Sequence, residues 1–217
     1  YMFGTAGIGV RKDMISDKLT KWADLWNPAY DQKIVMLDDE RATLSVGFFV
    51  LGYSPNSTSQ AELDACTQKL IDQKPLVIKY DSANPGRNIS LFPISHCWDG
   101  NIVQAARDIG IEKIDYVLPE EGYYIWVDNL VIPTNANSPY GSHLLMDYLC
   151  EPTNAAANSD FCGYQTTIAA AGELLKDPVQ KELRSIQEAE LPRGTYLEDV
   201  GPFYQNYHEA WAELKSA

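Results

Sequence analysis

The chain has 217 residues, of which 45% are hydrophobic and 22% charged, the composition of a folded globular protein with a substantial core. Its formal net charge of −13 argues against nucleic acid or an anionic membrane surface as the main partner, and it is compatible with a cationic ligand. Apolar runs such as Val46–Leu51 fall far short of the roughly 18 residues of a transmembrane helix, so no direct membrane insertion is expected.

Strand-like and helix-like segments alternate along the first half of the chain, which is typical of an α/β fold. The opening residues YMFGTAGIGV contain neither the basic region nor the cleavage site of a signal peptide, and they predict a strand. Ser59 is expected to cap a helix, with Glu62 placed for a capping box. The predicted elements are strand Phe3–Val10, a short helix at Trp22–Trp26, strand Lys33–Leu37, helix Arg41–Leu51, a helix from Ser59 to Gln73, strand Leu76–Lys79, strand Leu91–Cys97 and helix Asn101–Ile109.

The second half begins with one more strand and continues with helices. The predicted elements are strand Tyr123–Ile132 and helices Tyr140–Leu149, Ala169–Leu175, Val179–Ala189 and Pro202–Leu214. The four cysteines show no C-x-x-C spacing, which disfavours a zinc or redox motif. Cys150 and Cys162 flank a short Asn/Ala-rich segment and could close it as a loop in an oxidising compartment. The alternative is that all four cysteines are buried thiols.

Candidate ligand-binding residues fall at or near the ends of predicted strands. Asp39 follows one strand, Trp98 ends another, and Trp126 and Asp128 share a third. In open α/β sheets, ligands bind at the carboxyl ends of strands, and residues i and i+2 of a strand point to the same face. Carboxylates pair with ammonium groups, while aromatic rings cover methylenes and attract cations. The pattern indicates a site for a small organic cation, although each motif alone also fits a core tryptophan beside a surface acid.

Longer stretches carry a resemblance to a known family. YMFGTAGIGV with SDKLTKWADLWNPAY, then IVMLDDERATLSVGFFVLGYSPNST, HCWDG, VLPEEGYYIWVDNLVIPTNA, LLMDYLCEPTNAAA and GYQTTIAAAGELL resemble, in order and spacing, segments of the periplasmic spermidine/putrescine-binding proteins of ABC importers. The resemblance runs across essentially the whole chain. It implies an α/β fold of the type II periplasmic binding protein kind, with two lobes joined by a hinge.

The resemblance also implies how the chain is organised. In the family, on the order of a hundred residues precede the position of Tyr1, so one lobe is expected to be incomplete here. Residues 1–128 and 177–217 are predicted to form the larger lobe, and residues 129–176 the remaining part of the other. The hinge is expected near Phe3–Ile8 and Asp128–Pro133, with a third crossing near Leu175.

The function implied by the resemblance is capture of a polyamine, putrescine or spermidine, in the periplasm or another extracytoplasmic space. The loaded protein would deliver the ligand to the membrane permease subunits of an ABC importer, without a cofactor, a metal or catalysis. The ligand-binding residues that carry over are Trp98, Trp126, Asp128, Asp39, Tyr164, Arg41 and Ser82.

Each of these residues has an implied role. Trp98 and Trp126 match aromatic walls, Asp39 and Asp128 match acids that pair with amines, and Arg41 matches an arginine near the site. Tyr164 matches a tyrosine from the other lobe, and one of Tyr80, Asp81 and Ser82 is expected to supply a polar contact. Two positions depart from the spermidine-type pattern, because Ala42 replaces a glutamate and Leu197 a glutamine, and these changes leave the exact polyamine open.

Other functions were weighed against this one. Glu120 and Glu121 could be an acid/base pair of an enzyme, but adjacent acids rarely converge, and the turn PEEG is typical of a solvated loop. Tyr123 and Tyr124 are similar to the paired tyrosines of ferric-ion-binding relatives, but adjacent strand residues face opposite sides. A thiamine-like cation fits the same lining. A phosphonate or opine would need clustered arginines, and only Arg41 is near.

Overall fold

The computed structural model of the chain describes residues 1–183 and 193–217. Its strands are β1 (Met2–Arg11), β2 (Ile34–Met36), β3 (Val77–Tyr80), β4 (Ile94–Trp98), β5 (Ile114–Val117), β6 (Tyr124–Asp128), β7 (Gln165–Thr166) and β8 (Thr195–Tyr196). Its α-helices are α1 (Glu40–Leu51), α2 (Gln60–Gln73), α3 (Pro85–Leu91), α4 (Asp99–Ile109), α5 (Pro139–Cys150), α6 (Pro152–Cys162), α7 (Ala169–Gly172) and α8 (Tyr204–Ser216), and residues 178–183 are also helical. Short 3-10 turns lie at Trp22–Trp26, Pro28–Tyr30, Lys74–Leu76, Ile111–Lys113 and Gly201–Phe203.

Strand β1 has different neighbours along its two halves. Its second half pairs antiparallel with β4 and β5, and its first half pairs antiparallel with β6 and β7. The sheet continues from β4 to β2 and β3 through parallel pairs, and from β6 to β8, also in parallel, so the strand order is β3-β2-β4-β1-β6-β8. The change falls between Thr5, paired with Ile125, and Ala6, paired with Trp98. The end of β4 and the start of β6 therefore meet at the middle of β1.

The two ends of helix α1 are fixed by local signals. It starts three residues after β2, where the Asp39 side chain accepts a hydrogen bond from the Ala42 backbone N–H at 2.8 Å, the usual role of an N-cap aspartate. It ends at Gly52, whose φ of +73° is a left-handed conformation that favours glycine. Asp39 is thereby fixed at the carboxyl end of β2.

The helices α1, α2 and α8 pack together through an apolar core. The buried members of that core are Leu44, Phe48, Leu63, Cys66, Leu70, Val200, Tyr207, Ala210 and Leu214. Tyr207 also donates its hydroxyl to the Ser57 carbonyl at 2.7 Å, which ties α8 to the loop after α1. The C-terminal segment is therefore anchored to the loop between α1 and α2.

Most predicted elements are present, but several differ in detail, and the predicted helix Ala169–Leu175 ends at Gly172. The predicted strand Leu91–Cys97 starts too early, because the preceding residues form helix α3 and β4 begins at Ile94. The predicted strand Tyr123–Ile132 ends at Asp128. The capping box expected from Glu62 is wrong, because this carboxylate accepts from the Ser57 hydroxyl. The predicted helix Val179–Ala189 begins within helical residues 178–183, and the rest of it lies outside the described residues.

The hypothesis of a loop closed by Cys150 and Cys162 is wrong. The residues between them form helix α6, and both cysteines are free. At about 1.5 Å of rise per residue, a helix of this length separates its flanking residues by far more than the 7 Å limit for the Cα atoms of a disulfide. The alternative of four buried thiols is also wrong, because Cys150 is exposed and Cys162 is half-buried. The predicted division into lobes and its hinge stay predictions.

Candidate functional site

A cavity of about 390 Å³ is lined by residues from the start of α1, the end of β4, strand β6, the residue before β7 and the residue after β8. Its lining residues are Asp39, Arg41, Trp98, Tyr124, Trp126, Asp128, Tyr164 and Leu197. Six of the seven residues predicted from the sequence are in this lining, and the exception is Ser82. The hydroxyl of Ser82 is buried, and no hydrogen-bond partner for it is found in the described part of the chain. The sheet has therefore brought together residues that are up to 158 positions apart, from Asp39 to Leu197.

The first aromatic wall is formed by Trp98 and Tyr124. Trp98 ends β4, and Tyr124 begins β6 on the other side of β1. The indole Nε1 of Trp98 donates to the Tyr124 hydroxyl at 2.6 Å, and the small residue Ala6 lies directly opposite Trp98 on β1. Burial chiefly, and then the Asp39 charge, raise the pKa of Tyr124, so this hydroxyl stays protonated and retains a hydrogen to donate.

The second aromatic wall is formed by Trp126 and Tyr164. Their rings meet edge to face, with centroids 5.1 Å apart and planes at 87°, a favourable aromatic geometry. The Asn101 side chain donates to the Tyr164 hydroxyl at 3.2 Å. Gly100 permits this approach, because a Cβ there would lie 2.3 Å from Cδ1 of the tyrosine ring. Tyr164, which immediately precedes β7, thus contributes a ring whose position is fixed by residues of α4.

Two carboxylates face the cavity from different elements. Asp39 uses Oδ1 to cap α1, and Asp128 ends β6. On β6, Tyr124, Trp126 and Asp128 alternate with residues of the other face, so all three lie on the cavity side. The spacing had predicted a shared face for Trp126 and Asp128. Asp128 is exposed, and its backbone carbonyl accepts a hydrogen bond from the Tyr1 backbone nitrogen at 2.9 Å.

Arg41 lines the cavity but directs its guanidinium toward neighbouring segments. Nη2 donates to Asn56 Oδ1 at 3.0 Å and to the Pro55 carbonyl at 3.3 Å, and Nη1 donates to the Glu198 carbonyl at 3.2 Å. The guanidinium also lies 4.8 Å from the centre of the Tyr207 ring, within cation–π range. Arg41 therefore holds the C-terminal segment against the loop after α1, a role that sequence reasoning did not assign to it.

A further carboxylate lies behind the aromatic walls. Asp99, in the first turn of α4, is 1% exposed, and its Oδ1 accepts from the Thr5 backbone N–H at 3.3 Å. The helix dipole favours a negative charge at this position. Burial is the largest cause of the raised pKa of Tyr116 and of Tyr164, and Asp99 is the next cause for both. Asp99 therefore interacts with both of these tyrosines from behind the cavity wall.

Two lining residues were not among the predicted set. The sequence showed Tyr124 only as one of a tyrosine pair, and its i, i+2 relation to Trp126 was the signal that could have placed it. Leu197 was noted as a departure from a family pattern, but its position in the lining depends on the C-terminal segment folding back over α1. Chemically, the arrangement offers flat aromatic surface with carboxylates beside it, which suits a cation with an apolar body.

The fold is that of a type II periplasmic binding protein. The sequence profile described as "Bacterial extracellular solute-binding protein" matches residues 1–191, and the chain belongs to this family. Within residues 1–183 and 193–217, no helix has the length and apolar character needed to cross a membrane. No cluster of three or more His, Cys, Asp or Glu residues in that same part of the chain could hold a metal ion.

The similar proteins are solute-binding proteins with consistent names. The spermidine/putrescine-binding periplasmic protein of Escherichia coli K12 is 34% identical over 223 residues, and that of Salmonella typhimurium LT2 is 32% identical over 220 residues. Both matches cover 100% of this chain and 63% of the relative, so the chain spans less than two thirds of the length of these relatives.

Solved structures show the same fold. A putative spermidine/putrescine ABC transporter from Listeria monocytogenes superposes with a TM-score of 0.91 at 30% identity, covering 99% of this chain and 67% of that one. The spermidine/putrescine ABC transporter substrate-binding protein of Streptococcus pneumoniae, solved with calcium and HEPES, gives a TM-score of 0.82 at 25% identity, covering 100% and 68%.

Proposed function

We propose that this chain binds a polyamine in the cavity lined by α1, β4 and β6. The observation that carries the proposal is the convergence of Trp98 and Trp126 with the carboxylates of Asp39 and Asp128 on one cavity. An ammonium group that loses its hydration needs a carboxylate, since an unpaired buried charge is costly. The methylene links gain from contact with the ring faces, which also attract the cationic ends. The lining supplies both requirements.

The biological setting follows from the relatives' names. Periplasmic binding proteins named for spermidine and putrescine, and an ABC transporter substrate-binding protein, share the fold and a third to a quarter of the sequence. The chain would therefore act outside the cytoplasm and hand its ligand to the membrane permease subunits of an ABC importer, and it would do so without catalysis. Closure of residues 1–128 and 177–217 against residues 129–176 would be driven by ligand contacts from both sides.

A thiamine-like cation is the second candidate, because the aromatic lining that covers methylenes also accepts a flat cationic ring. Ferric ion has less support. Of the adjacent tyrosines, only Tyr124 is in the lining, and its hydroxyl is engaged with Trp98, while Tyr123 is fully buried.

Calorimetric titration tests the proposal. Putrescine, spermidine and spermine are titrated into the 217-residue chain, with thiamine and a phosphonate as comparison ligands. Saturable binding of at least one polyamine is expected, and Asp128→Asn should weaken it on the order of 10- to 100-fold, the usual effect of losing a charged hydrogen bond. Asp147→Asn removes the same charge from an exposed position on α5 and should leave the affinity unchanged. Binding of thiamine alone, or equal affinities in the two variants, would refute the proposed ligand or the proposed site.

A further inference from the structure

The aromatic walls of the cavity carry two hydroxyl groups, on Tyr124 and Tyr164. A phenolic hydroxyl has an oxygen that accepts hydrogen bonds and a proton that it can donate. Burial is the chief cause of a raised pKa at both residues, so both hydroxyls keep their protons. What each hydroxyl can offer a ligand depends on which of its two capacities the protein already uses.

The Tyr124 hydroxyl is already engaged as an acceptor. It accepts from Nε1 of Trp98 at 2.6 Å. An indole nitrogen can only donate, so the two groups cannot exchange their roles in this hydrogen bond. Among residues 1–183 and 193–217, no acceptor for the Tyr124 proton is found. The proton of this hydroxyl therefore remains available to a molecule in the cavity.

The Tyr164 hydroxyl is also an acceptor, and its partner is the side-chain amide of Asn101. Asn101 Oδ1 accepts from the Trp98 backbone N–H at 3.1 Å, which turns Nδ2, the donor end of the amide, toward Tyr164. Nδ2 donates to the Tyr164 hydroxyl at 3.2 Å and to Gln104 Oε1 at 3.4 Å. The part of the chain that the structure describes supplies no acceptor for the Tyr164 proton. Both wall hydroxyls are thus donors without an acceptor there.

A simple polyamine does not match these two donors. Its ammonium groups pair with the lining carboxylates of Asp39 and Asp128, but an ammonium group has no lone pair with which to accept a hydrogen bond. Its methylene groups accept nothing. When such a ligand displaces water from the walls, the tyrosine protons lose their hydrogen bonds to water without a replacement, and this loss weakens binding.

We propose that the cavity recognises a diamine with a hydroxyl group on its chain in preference to the unsubstituted diamine. The proposal rests on the function proposed above. The ammonium groups pair with the lining carboxylates, and the added oxygen accepts from the Tyr124 hydroxyl, the Tyr164 hydroxyl or both. The proton of the ligand's own hydroxyl has a lining carboxylate as its acceptor. An acyl group would also supply an oxygen, but acylation removes an ammonium charge and leaves a carboxylate without a cation.

The test uses putrescine and hydroxyputrescine, a matched pair of diamines that differ by one hydroxyl on the chain. In calorimetric titrations of the 217-residue chain, the dissociation constant of hydroxyputrescine should be about 5-fold lower than that of putrescine, the scale of one neutral hydrogen bond. In a site without a spare donor, the same hydroxyl would weaken binding, because its lost hydration would not be replaced. The direction of the difference therefore tests the inference directly.

Substitutions of the tyrosines test which groups recognise the hydroxyl. The double variant Tyr124→Phe/Tyr164→Phe lacks both donors and should lose the preference for hydroxyputrescine, and the two single variants show which hydroxyl supplies the bond. Tyr140→Phe removes a hydroxyl from an exposed position on α5 and should preserve the preference. Each variant is judged by the ratio of its two dissociation constants, so a general loss of affinity cancels. Thermal melting checks that each variant is folded.

The wild-type ratio tests the preference even if a variant does not fold. Hydroxyputrescine binding no more tightly than putrescine would overturn the inference and leave amine binding intact. A preference that persists in the double variant would overturn the role of the two tyrosines. The absence of binding for both diamines would overturn the proposed function, and this inference with it.

Discussion

The buried histidine of β4 should make the fold sensitive to mild acid. His96 is 2% exposed, neither of its ring nitrogens has a hydrogen-bond partner in the described part of the chain, and its ring packs edge-on against Trp22 at 5.2 Å. Burial lowers its pKa from 6.5 to about 3, because the charged imidazolium would lose its hydration without a compensating carboxylate. The folded chain therefore holds this ring neutral.

The sign of the effect follows from the two pKa values. Between pH 6.5 and about 3 the unfolded chain binds a proton at His96 that the folded chain does not. The contribution of the neutral His96 ring to the free energy of unfolding is fully present above pH 6.5, and it is lost as the pH falls toward 3. At about 1.4 kcal/mol per pH unit, lowering the pH from 7 to 5 should cost about 2 kcal/mol of unfolding free energy at this residue.

Urea unfolding at pH 7 and pH 5, followed by tryptophan fluorescence, measures this difference. His96→Phe keeps a flat ring against Trp22 and removes the titration, so its loss of stability between the two pH values should be about 2 kcal/mol smaller than that of the wild type. If the phenylalanine variant does not fold, His96→Gln also removes the titrating ring and can be measured in its place. His143→Gln changes an exposed histidine and should behave as the wild type does. Equal pH dependence in wild type and His96→Phe would refute the reasoning.

Substitutions at three further positions test the site. Tyr124→Phe removes the acceptor for the Trp98 indole and should weaken amine binding roughly 5- to 10-fold in a titration, and an unchanged affinity would contradict this. Gly100→Ala places a Cβ 2.3 Å from the Tyr164 ring and should lower the melting temperature, so an unaltered melting curve would show that the contact is not tight. Asp39→Asn keeps an N-cap but loses the charge, so amine binding should weaken while the free energy of unfolding changes by less than about 0.5 kcal/mol. Asp39→Ala also removes the N-cap, and it should lower the free energy of unfolding by about 1 kcal/mol in urea. A drop in stability with Asn as large as with Ala would contradict the separation of the two roles.

The sequence predicted those helices and strands whose boundaries depend on residues only a few positions apart. Helix α1 was predicted over Arg41–Leu51, and the structure delimits it by the Asp39 N-cap and the left-handed Gly52, which are both local backbone features. No helix was predicted between the strands Leu76–Lys79 and Leu91–Cys97, although Pro85 is well suited to the first turn of α3. Helix α6 was not predicted because its Asn/Ala-rich sequence has no amphipathic period that would indicate a helix.

The candidate site was predictable only in part. The i, i+2 spacing of Trp126 and Asp128 placed both on one face of β6, because a strand alternates its side chains. The same period extends to Tyr124, which the sequence reasoning did not follow. The role of Arg41 was not predictable, since its partners include the carbonyl of Glu198, 157 residues away. Ser82 follows the end of β3, as expected, but the cavity does not reach it.

What the sequence determined by itself was the alternation of elements, the family, and the aromatic and acidic residue types that stand at strand ends. These features depend on short-range periodicity and on the order of motifs along the chain, so they can be predicted without knowing which strands pair. The tertiary structure decided the rest. The change of partners at the middle of β1 brings Trp98 to Tyr124, and the return of the C-terminal segment brings Leu197 into the lining. Such contacts depend on the packing of distant segments, and that packing is settled only when the whole chain folds.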